Sequence, residues 1–193
     1  MFANLPQFPI TYCRTTITAL AMVVSASSYA KEPTKSVIWS EVQDSLSQTW
    51  RSKDYELYIP VNTWHNRSYY TDEKIASYNE QPWGLGAGKY RLDADGNWHS
   101  LYAIAFLDSH SKIEPIMGYG YQKIWRPTEV IRLGLGYTVG VTLREDSNYL
   151  LPIPVIAPLL SIGYKDLSVQ STYLLGGEGH GNILFTWLRW RLE

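Results

Sequence analysis

Between positions 131 and 144, apolar residues alternate without interruption with small, hydroxyl or basic ones. Ile131, Leu133, Leu135, Tyr137, Val139, Val141 and Leu143 fall on one face, and Arg132, Gly134, Gly136, Thr138, Gly140, Thr142 and Arg144 on the other. Successive strand side chains point to opposite faces, so this period of two predicts a strand. At ~3.3 Å per residue it would run about 45 Å, roughly twice a strand of a soluble sandwich. Seven further segments carry strand character: 55–64, 83–92, 98–109, 113–125, 155–164, 167–175 and 182–192. Turn chemistry separates them at Asp95-Gly96-Asn97, Arg126-Pro127, Ser147-Asn148, Lys165-Asp166 and Gly176-Gly177-Glu178-Gly179. Before Tyr55 the period changes. Ile38, Val42, Leu46 and Trp50 recur every four residues with polar residues between them, which predicts an amphipathic helix over 39–50. Such a helix either packs on a core or lies in a membrane interface.

The N-terminus reads as a secretory leader. Arg14 is the one basic residue before Lys31, and it precedes the apolar stretch 17–26. Ser28-Tyr29-Ala30 then places small residues at the −3 and −1 positions of a cleavage site, giving a signal peptide over 1–30 and a mature domain over 31–193. The apolar stretch is too short to span a bilayer as a helix. Cys13 lies ahead of it, where a lipoprotein cysteine would have to follow it, and cleavage removes this only cysteine. The mature chain therefore folds without disulfides and is neither a thiol enzyme nor a Cys-ligated metal protein.

No later segment has eighteen consecutive apolar residues. An even count of eight strands behind a leader predicts an all-β fold: an eight-stranded antiparallel outer-membrane β-barrel preceded by an amphipathic α-helix. A soluble lipocalin-like barrel is the alternative. Composition sharpens the choice. The 193 residues include 8 Trp and 15 Tyr against 4 Phe, and Trp and Tyr suit a boundary between hydrocarbon and water. Trp125, Trp187 and Trp190 sit near strand ends, as girdle residues would. A net charge of −1 argues against a nucleic-acid reader, which needs a clustered cationic excess.

Eight strands enclose just enough space for ordinary side chains, so a ligand cavity needs vacated inward positions. Gly84, Gly86 and Gly88, then Gly134, Gly136 and Gly140, with Gly118 and Gly120, alternate along strands. They either open a cavity or relieve crowding. The stretch 101–106 is apolar on both faces; with one face on lipid, the other places Leu101, Ala103 and Ala105 inside, an apolar lumen suited to an acyl chain. Pro60, Pro82, Pro152, Pro154 and Pro158 remove ladder donors and could mark lateral gaps where a lipid tail enters. His65 follows the first strand, and Asp108-Ser109 closes the third. Those strands run in the same direction, so the three residues share a rim and offer a base, an acid and a hydroxyl for acyl transfer. A non-enzymatic lipid-binding or structural barrel would need none of the three. The chain has no Gly-x-Ser-x-Gly elbow, His-Glu-x-x-His helix or phosphate-binding glycine loop.

These segments together resemble the lipid A palmitoyltransferase family (PagP type) of Gram-negative outer membranes. The carrying stretches are Tyr55-Glu56-Leu57-Tyr58-Ile59-Pro60 with Thr63-Trp64-His65, Tyr78-Asn79-Glu80 before Pro82-Trp83-Gly84, Gly96-Asn97-Trp98-His99, Ala105-Phe106-x-Asp108-Ser109, Glu114-Pro115-Ile116 with Gly118-Tyr119-Gly120, Trp125-Arg126-Pro127, Leu133-Gly134-Leu135-Gly136, and 152–164. The resemblance implies transfer of a palmitoyl chain from a glycerophospholipid to a lipid A acyl-chain hydroxyl in the outer membrane, with no metal or organic cofactor. It implies His65, Asp108 and Ser109 as catalytic residues on the outer rim. It further implies His99 as a second rim histidine for lipid A recognition, Gly120 as the acyl-chain ruler on the cavity floor, and Pro60, Pro82 and Pro158 at lateral access points. A homodimer stays open. The chain departs from the family pattern at Leu175, where a gap proline is expected, and at Glu178, where a gating tyrosine is expected. The turn after Pro127 is shorter, and the final Trp190-Arg191-Leu192-Glu193 does not end on an aromatic.

Overall fold

The computed structural model describes residues 35–146, 149–176 and 181–192. The expected leader over 1–30 and Glu178 lie outside them. A helix, α1 (Lys35–Arg51), is followed by eight strands in an antiparallel meander that closes on itself: β1 (Asp54–His65), β2 (Gly84–Leu92), β3 (Trp98–Leu107), β4 (Ile113–Trp125), β5 (Ile131–Asp146), β6 (Tyr149–Tyr164), β7 (Leu167–Leu174) and β8 (Ile183–Leu192). A short helix, α2 (Asp72–Ala76), interrupts the β1–β2 connection. Every strand is paired with a neighbour on each side over at least part of its length, as strands that cross hydrocarbon require.

The alternation along β5 faces outward as expected, with Leu133, Leu135, Tyr137, Val139 and Val141 exposed along the outer wall. Trp64 and Trp83 ring one end of that wall, and Tyr55, Trp125, Tyr164 and Trp190 the other. Trp187 is a correction to the expected girdle. Odd-numbered positions of β8 point inward, so Trp187 is buried in the lumen, where its Nε1–H donates to Gln170 Oε1 at 2.9 Å.

The inward face of β3 is also the reverse of the expected one. Tyr102, Ile104 and Phe106 point inside, whereas Ala103 and Ala105 are exposed. The register explains this: Gly88, Gly86 and Gly84 of β2 stand opposite Tyr102, Ile104 and Phe106. A Cβ on Gly86 would come within 2.5 Å of Ile104 Cγ1, and one on Gly84 within 2.7 Å of Phe106 Cβ. That glycine row makes room for large neighbours rather than for a ligand.

β6 begins at Tyr149, earlier than the expected position 155, and carries Pro152, Pro154 and Pro158 within it. It pairs with β5 along its full length, from Ile131↔Tyr164 to Asp146↔Tyr149, but with β7 only from Leu159↔Thr172 to Tyr164↔Leu167. β1 and β2 pair only from Asp54↔Tyr90 to Tyr58↔Gly86, while β1 runs on to His65. Both interruptions lie at the His65 end, where prolines withhold ladder donors.

Beside the barrel, α1 is polar where it meets the wall. Thr49 is fully buried and accepts from Arg91 Nε at 3.2 Å, and Ser45 Oγ accepts from Arg91 Nη2 at 2.9 Å. Its apolar stripe faces away, with Val42 42% and Trp50 68% exposed. Of the two expected roles, this geometry suits an interfacial helix rather than a core one.

Candidate active site

β1 delivers His65 to the rim as its last residue, and the 66–83 connection folds back over it. Two backbone bonds anchor that return: Thr63 N–H donates to Glu80 O at 3.0 Å, and Asn79 N–H donates to Ser109 O at 2.8 Å. The turn after β3 and the return segment are thereby tied together beside β1. His65 is 2% exposed, stacked at 4.6 Å between ring centroids on Tyr78 and edge-on to Tyr70 at 5.2 Å.

Both ring nitrogens of His65 have partners. Nδ1 lies 3.0 Å from Glu80 Oε1, and Nε2 lies 2.9 Å from Ser109 Oγ. A carboxylate can only accept, so Nδ1 carries the proton, and Nε2 accepts from the Ser109 hydroxyl. The His65 backbone N–H also donates to Glu80 Oε1 at 3.0 Å. Arg67 grips the same carboxylate bidentately, with Nη1 to Oε1 at 2.5 Å and Nη2 to Oε2 at 2.7 Å. This guanidinium, helped by the His65 contacts against partial burial, holds the Glu80 carboxyl down at about 2, well below its ordinary 4.5. Glu80 is therefore ionised wherever the histidine can act as a base.

The expected His65, Asp108 and Ser109 do meet at one rim, but Asp108 is not the histidine's partner. Asp108 Oδ1 accepts from His110 N–H and Lys112 N–H, each at 2.8 Å, and the Asp108 amide donates to Lys112 O. Asp108 thus builds the tight turn that presents Ser109, including Ser111 at φ 61°. Glu80 was missed because it lies in an irregular connection, where neither period of two nor spacing from His65 marks it. The signal available was an acidic residue in the Tyr78-Asn79-Glu80 stretch.

The rim opens into a cavity of about 440 Å³ lined at its mouth by His65, Asp108, Ser109 and Arg144, and deeper by Ile104, Phe106, Ile116, Val155, Phe185 and Trp187. The deeper wall is mainly apolar, and its hydroxyls are paired, Tyr102 with Thr138 and Thr172 with the Pro158 carbonyl, which suits an acyl chain with a reactive end at the mouth.

A family profile described as antimicrobial peptide resistance and lipid A acylation protein PagP matches residues 45–189. The chain belongs to the PagP family. It is 58% identical over 154 residues to the lipid A acyltransferase PagP of Laribacter hongkongensis, covering 80% of this chain and 74% of the relative. It is 53% identical over 156 residues to that of Yersinia enterocolitica, covering 80% and 76%. Identity to that of Dickeya chrysanthemi is 52% over 172 residues, covering 88% and 87%. The stretch matched by the PagP profile includes His65, Glu80, Asp108 and Ser109.

Other residues implied by resemblance to PagP fall elsewhere. His99 is not on the rim: it is the second residue of β3 at the opposite end, outside the lumen and beside α1. Its ring nitrogens meet Tyr119 Oη at 2.6 Å and Asp93 Oδ2 at 3.1 Å, and Ser45 of α1 lies 3.2 Å away. Gly120 is buried against the Trp98 ring, where an added Cβ would lie 2.8 and 2.9 Å from ring carbons and 3.7 Å from Leu159 Cδ2. It does not itself line the 440 Å³ cavity; it sits in the layer beneath. Pro60 is buried at a register shift between β1 and β8, beside the β1–β2 interruption, and Pro82 is buried just before β2. Pro158 lines the cavity, and its carbonyl accepts from Thr172 Oγ1 at 2.7 Å where β6–β7 pairing begins. Leu175 is 85% exposed.

Proposed function

We propose that this chain is an outer-membrane lipid A acyltransferase that takes a palmitoyl chain from a glycerophospholipid. The observation that carries the reading is the Glu80–His65–Ser109 relay at the mouth of an apolar cavity. Family membership supplies lipid A as acceptor. The apolar outer wall with aromatic residues at both ends supports residence in a Gram-negative outer membrane. The β1–β2 and β6–β7 interruptions, beside Pro60, Pro82 and Pro158, support lateral passage of donor and acceptor.

In this reading the donor's acyl chain fills the cavity and its ester carbonyl stops at the rim. His65 Nε2 takes the proton of the lipid A hydroxyl as that oxygen attacks the carbonyl carbon. Ser109 turns its hydroxyl toward the developing oxyanion. Collapse breaks the bond to the glycerol oxygen, which receives the proton from His65 and leaves as a lysophospholipid. Glu80 holds the tautomer and stabilises the imidazolium, as an acid partner does in a serine–histidine relay. Asp108 fixes the turn carrying Ser109. A second reading rests on the 2.9 Å contact between Ser109 Oγ and His65 Nε2, the distance expected of a nucleophile and its base. Mass spectrometry of enzyme incubated with phospholipid alone distinguishes the two, because only the second leaves an acyl adduct on Ser109.

The decisive test is mass spectrometry of lipid A from cells expressing wild type and His65→Ala. An added sixteen-carbon chain in the first and its absence in the second supports the enzyme. Absence in both returns the chain to a non-enzymatic lipid-binding barrel.

A further inference from the structure

At the end of the barrel remote from His65, four arginines converge on one small cavity. Arg126 follows β4, Arg132 lies near the start of β5, and Arg189 and Arg191 lie near the end of β8. They line a cavity of about 10 Å³ with Trp98, Leu92 and Ile124, and among the described residues no carboxylate lines it. Among the described residues, four buried side-chain nitrogens have no protein hydrogen-bond partner: Arg132 Nη2, Arg189 Nε, Arg189 Nη1 and Arg191 Nε. All four belong to this cluster.

Two nearby acids, Asp166 and Glu56, stand against the four arginines. Arg191 Nη2 donates to Asp166 Oδ1 at 2.6 Å and to Lys165 O at 3.3 Å, while its Nε is left without a partner. Glu56 Oε2 stands 3.8 Å from Arg189 Nε, and Glu56 already accepts from Tyr58 and from Trp98 Nε1. Arg189 is 3% exposed; its Nη2 reaches Ser168 Oγ at 3.2 Å, and its guanidinium lies 4.5 Å over the Trp98 ring. Arg126 gives one donor to Gly96 O. A buried carboxyl or lysine can relieve such a site by losing its charge, but a guanidinium cannot deprotonate. Buried cationic donors left without a hydrogen-bond partner are unfavourable.

We propose that this cluster is an anion site that seats one oxygen of a phosphate-class oxyanion. The cavity has room for about one water-sized group. One ligand oxygen therefore sits among Arg132, Arg189 and Arg191, and the rest of the group lies at the mouth beside exposed Arg126. Several planar guanidinium forks suit an oxyanion better than a spherical ion, because two N–H groups can share its oxygens. The group comes either from free phosphate or from the phosphodiester of a lipid in the leaflet at that end. Its place, on the far side of the buried polar layer from His65, separates it from the acyl cavity.

The test follows the arginine Nε–Hε resonances of the folded chain in detergent, at fixed ionic strength with a bulky sulfonate as background salt. Inorganic phosphate and a short-chain phosphatidylglycerol are titrated separately. A saturable shift of Arg189 and Arg191 with phosphate assigns a free anion; a shift with the phospholipid alone assigns a headgroup. Arg132→Gln and Arg191→Gln should each weaken the response roughly tenfold, as loss of one charge-assisted hydrogen bond predicts. Both variants should keep wild-type lipid A acylation, which also reports their folding. Resonances that stay still with both probes, or that shift in both variants just as they do in the wild type, overturn the proposal.

Discussion

Above Tyr102 the lumen is an apolar cavity; below it the lumen is filled by side chains that hydrogen-bond to one another. Gln122 joins three neighbours in the lower half: its Oε1 accepts from Ser161 Oγ and Gln170 Nε2, and its Nε2 donates to Leu159 O. Trp187 closes on Gln170, while Tyr58 links Glu56 to Ser100. The upper half instead has Ile104, Phe106, Ile116, Val155 and Phe185 around space. Under the proposed function the contrast follows from what each half encloses. An acyl chain gains about 0.8 kcal/mol per methylene moved from water into apolar surroundings and tolerates no unpaired polar wall. A ligand-free lumen has to satisfy itself, and a connected polar layer does so while giving the cavity a rigid floor. The upper half also has its two interrupted ladders, and the lower half has continuous ones. Under the proposed function, access and chemistry thus share one end, away from the part that holds the barrel closed.

The comparison breaks first at His65. His65→Ala should reduce lipid A acylation at least ~10²-fold, the range for loss of a general base, with the barrel still folded. Lipid A mass spectrometry reads the loss and circular dichroism reads the fold. Unfolding along with inactivation would mean that the rim is structural too. Next comes Glu80→Gln, which keeps the shape but loses the charge that sets the His65 tautomer. Its kcat should fall roughly 10²-fold with KM little changed. An unaltered kcat would remove Glu80 from the relay.

The lower half should answer in stability instead. Gln122→Leu strands Gln170, Ser161 and the Leu159 carbonyl, which should cost about 1–3 kcal/mol of folding stability. Urea titration in detergent measures it, and acylation per folded molecule should stay at the wild-type level. Between the halves, Gly120→Met must displace Trp98, because even a Cβ there approaches the ring within 2.8 Å. Donors of defined chain length should then show a preference shorter than sixteen carbons. An unchanged preference would detach the floor from the lower layer. The smallest effect is in acid. Glu80 has a depressed folded-state pKa, so its stabilising contribution is complete above 4.5 and disappears as the pH falls toward 2. Urea midpoints of wild type and Glu80→Gln should converge across that window.

Much of this architecture was legible in the chain because a membrane barrel has different solvents on its two faces. β5 alternates so purely that its strand, length and lipid face could all be read from it. The 101–106 stretch could not be oriented in that way, since both of its faces are apolar. Only pairing with the Gly84–Gly86–Gly88 row shows that Tyr102, Ile104 and Phe106 go inside. Trp187 looked like a girdle residue by position, but strand parity turned it into the lumen. The α1 stripe was visible, yet its outward direction depended on Ser45 and Thr49 meeting Arg91.

The candidate site divides along the same line. His65, Asp108 and Ser109 could be placed on one rim because parallel-running strand ends meet there. That inference carries position and no partnership. Glu80 comes from an irregular connection, and the arginine cluster comes from three separate chain segments; no local period records either. The sequence by itself determined strand count, barrel class, the outward apolar wall and the rim, because these rest on alternation within segments, turn residues between them and the up-and-down order that follows. Tertiary structure alone decided which acid serves His65, which face of β3 lines the cavity, where Gly120 and His99 lie, and that four arginines meet. Those are contacts between segments, set by register and closure.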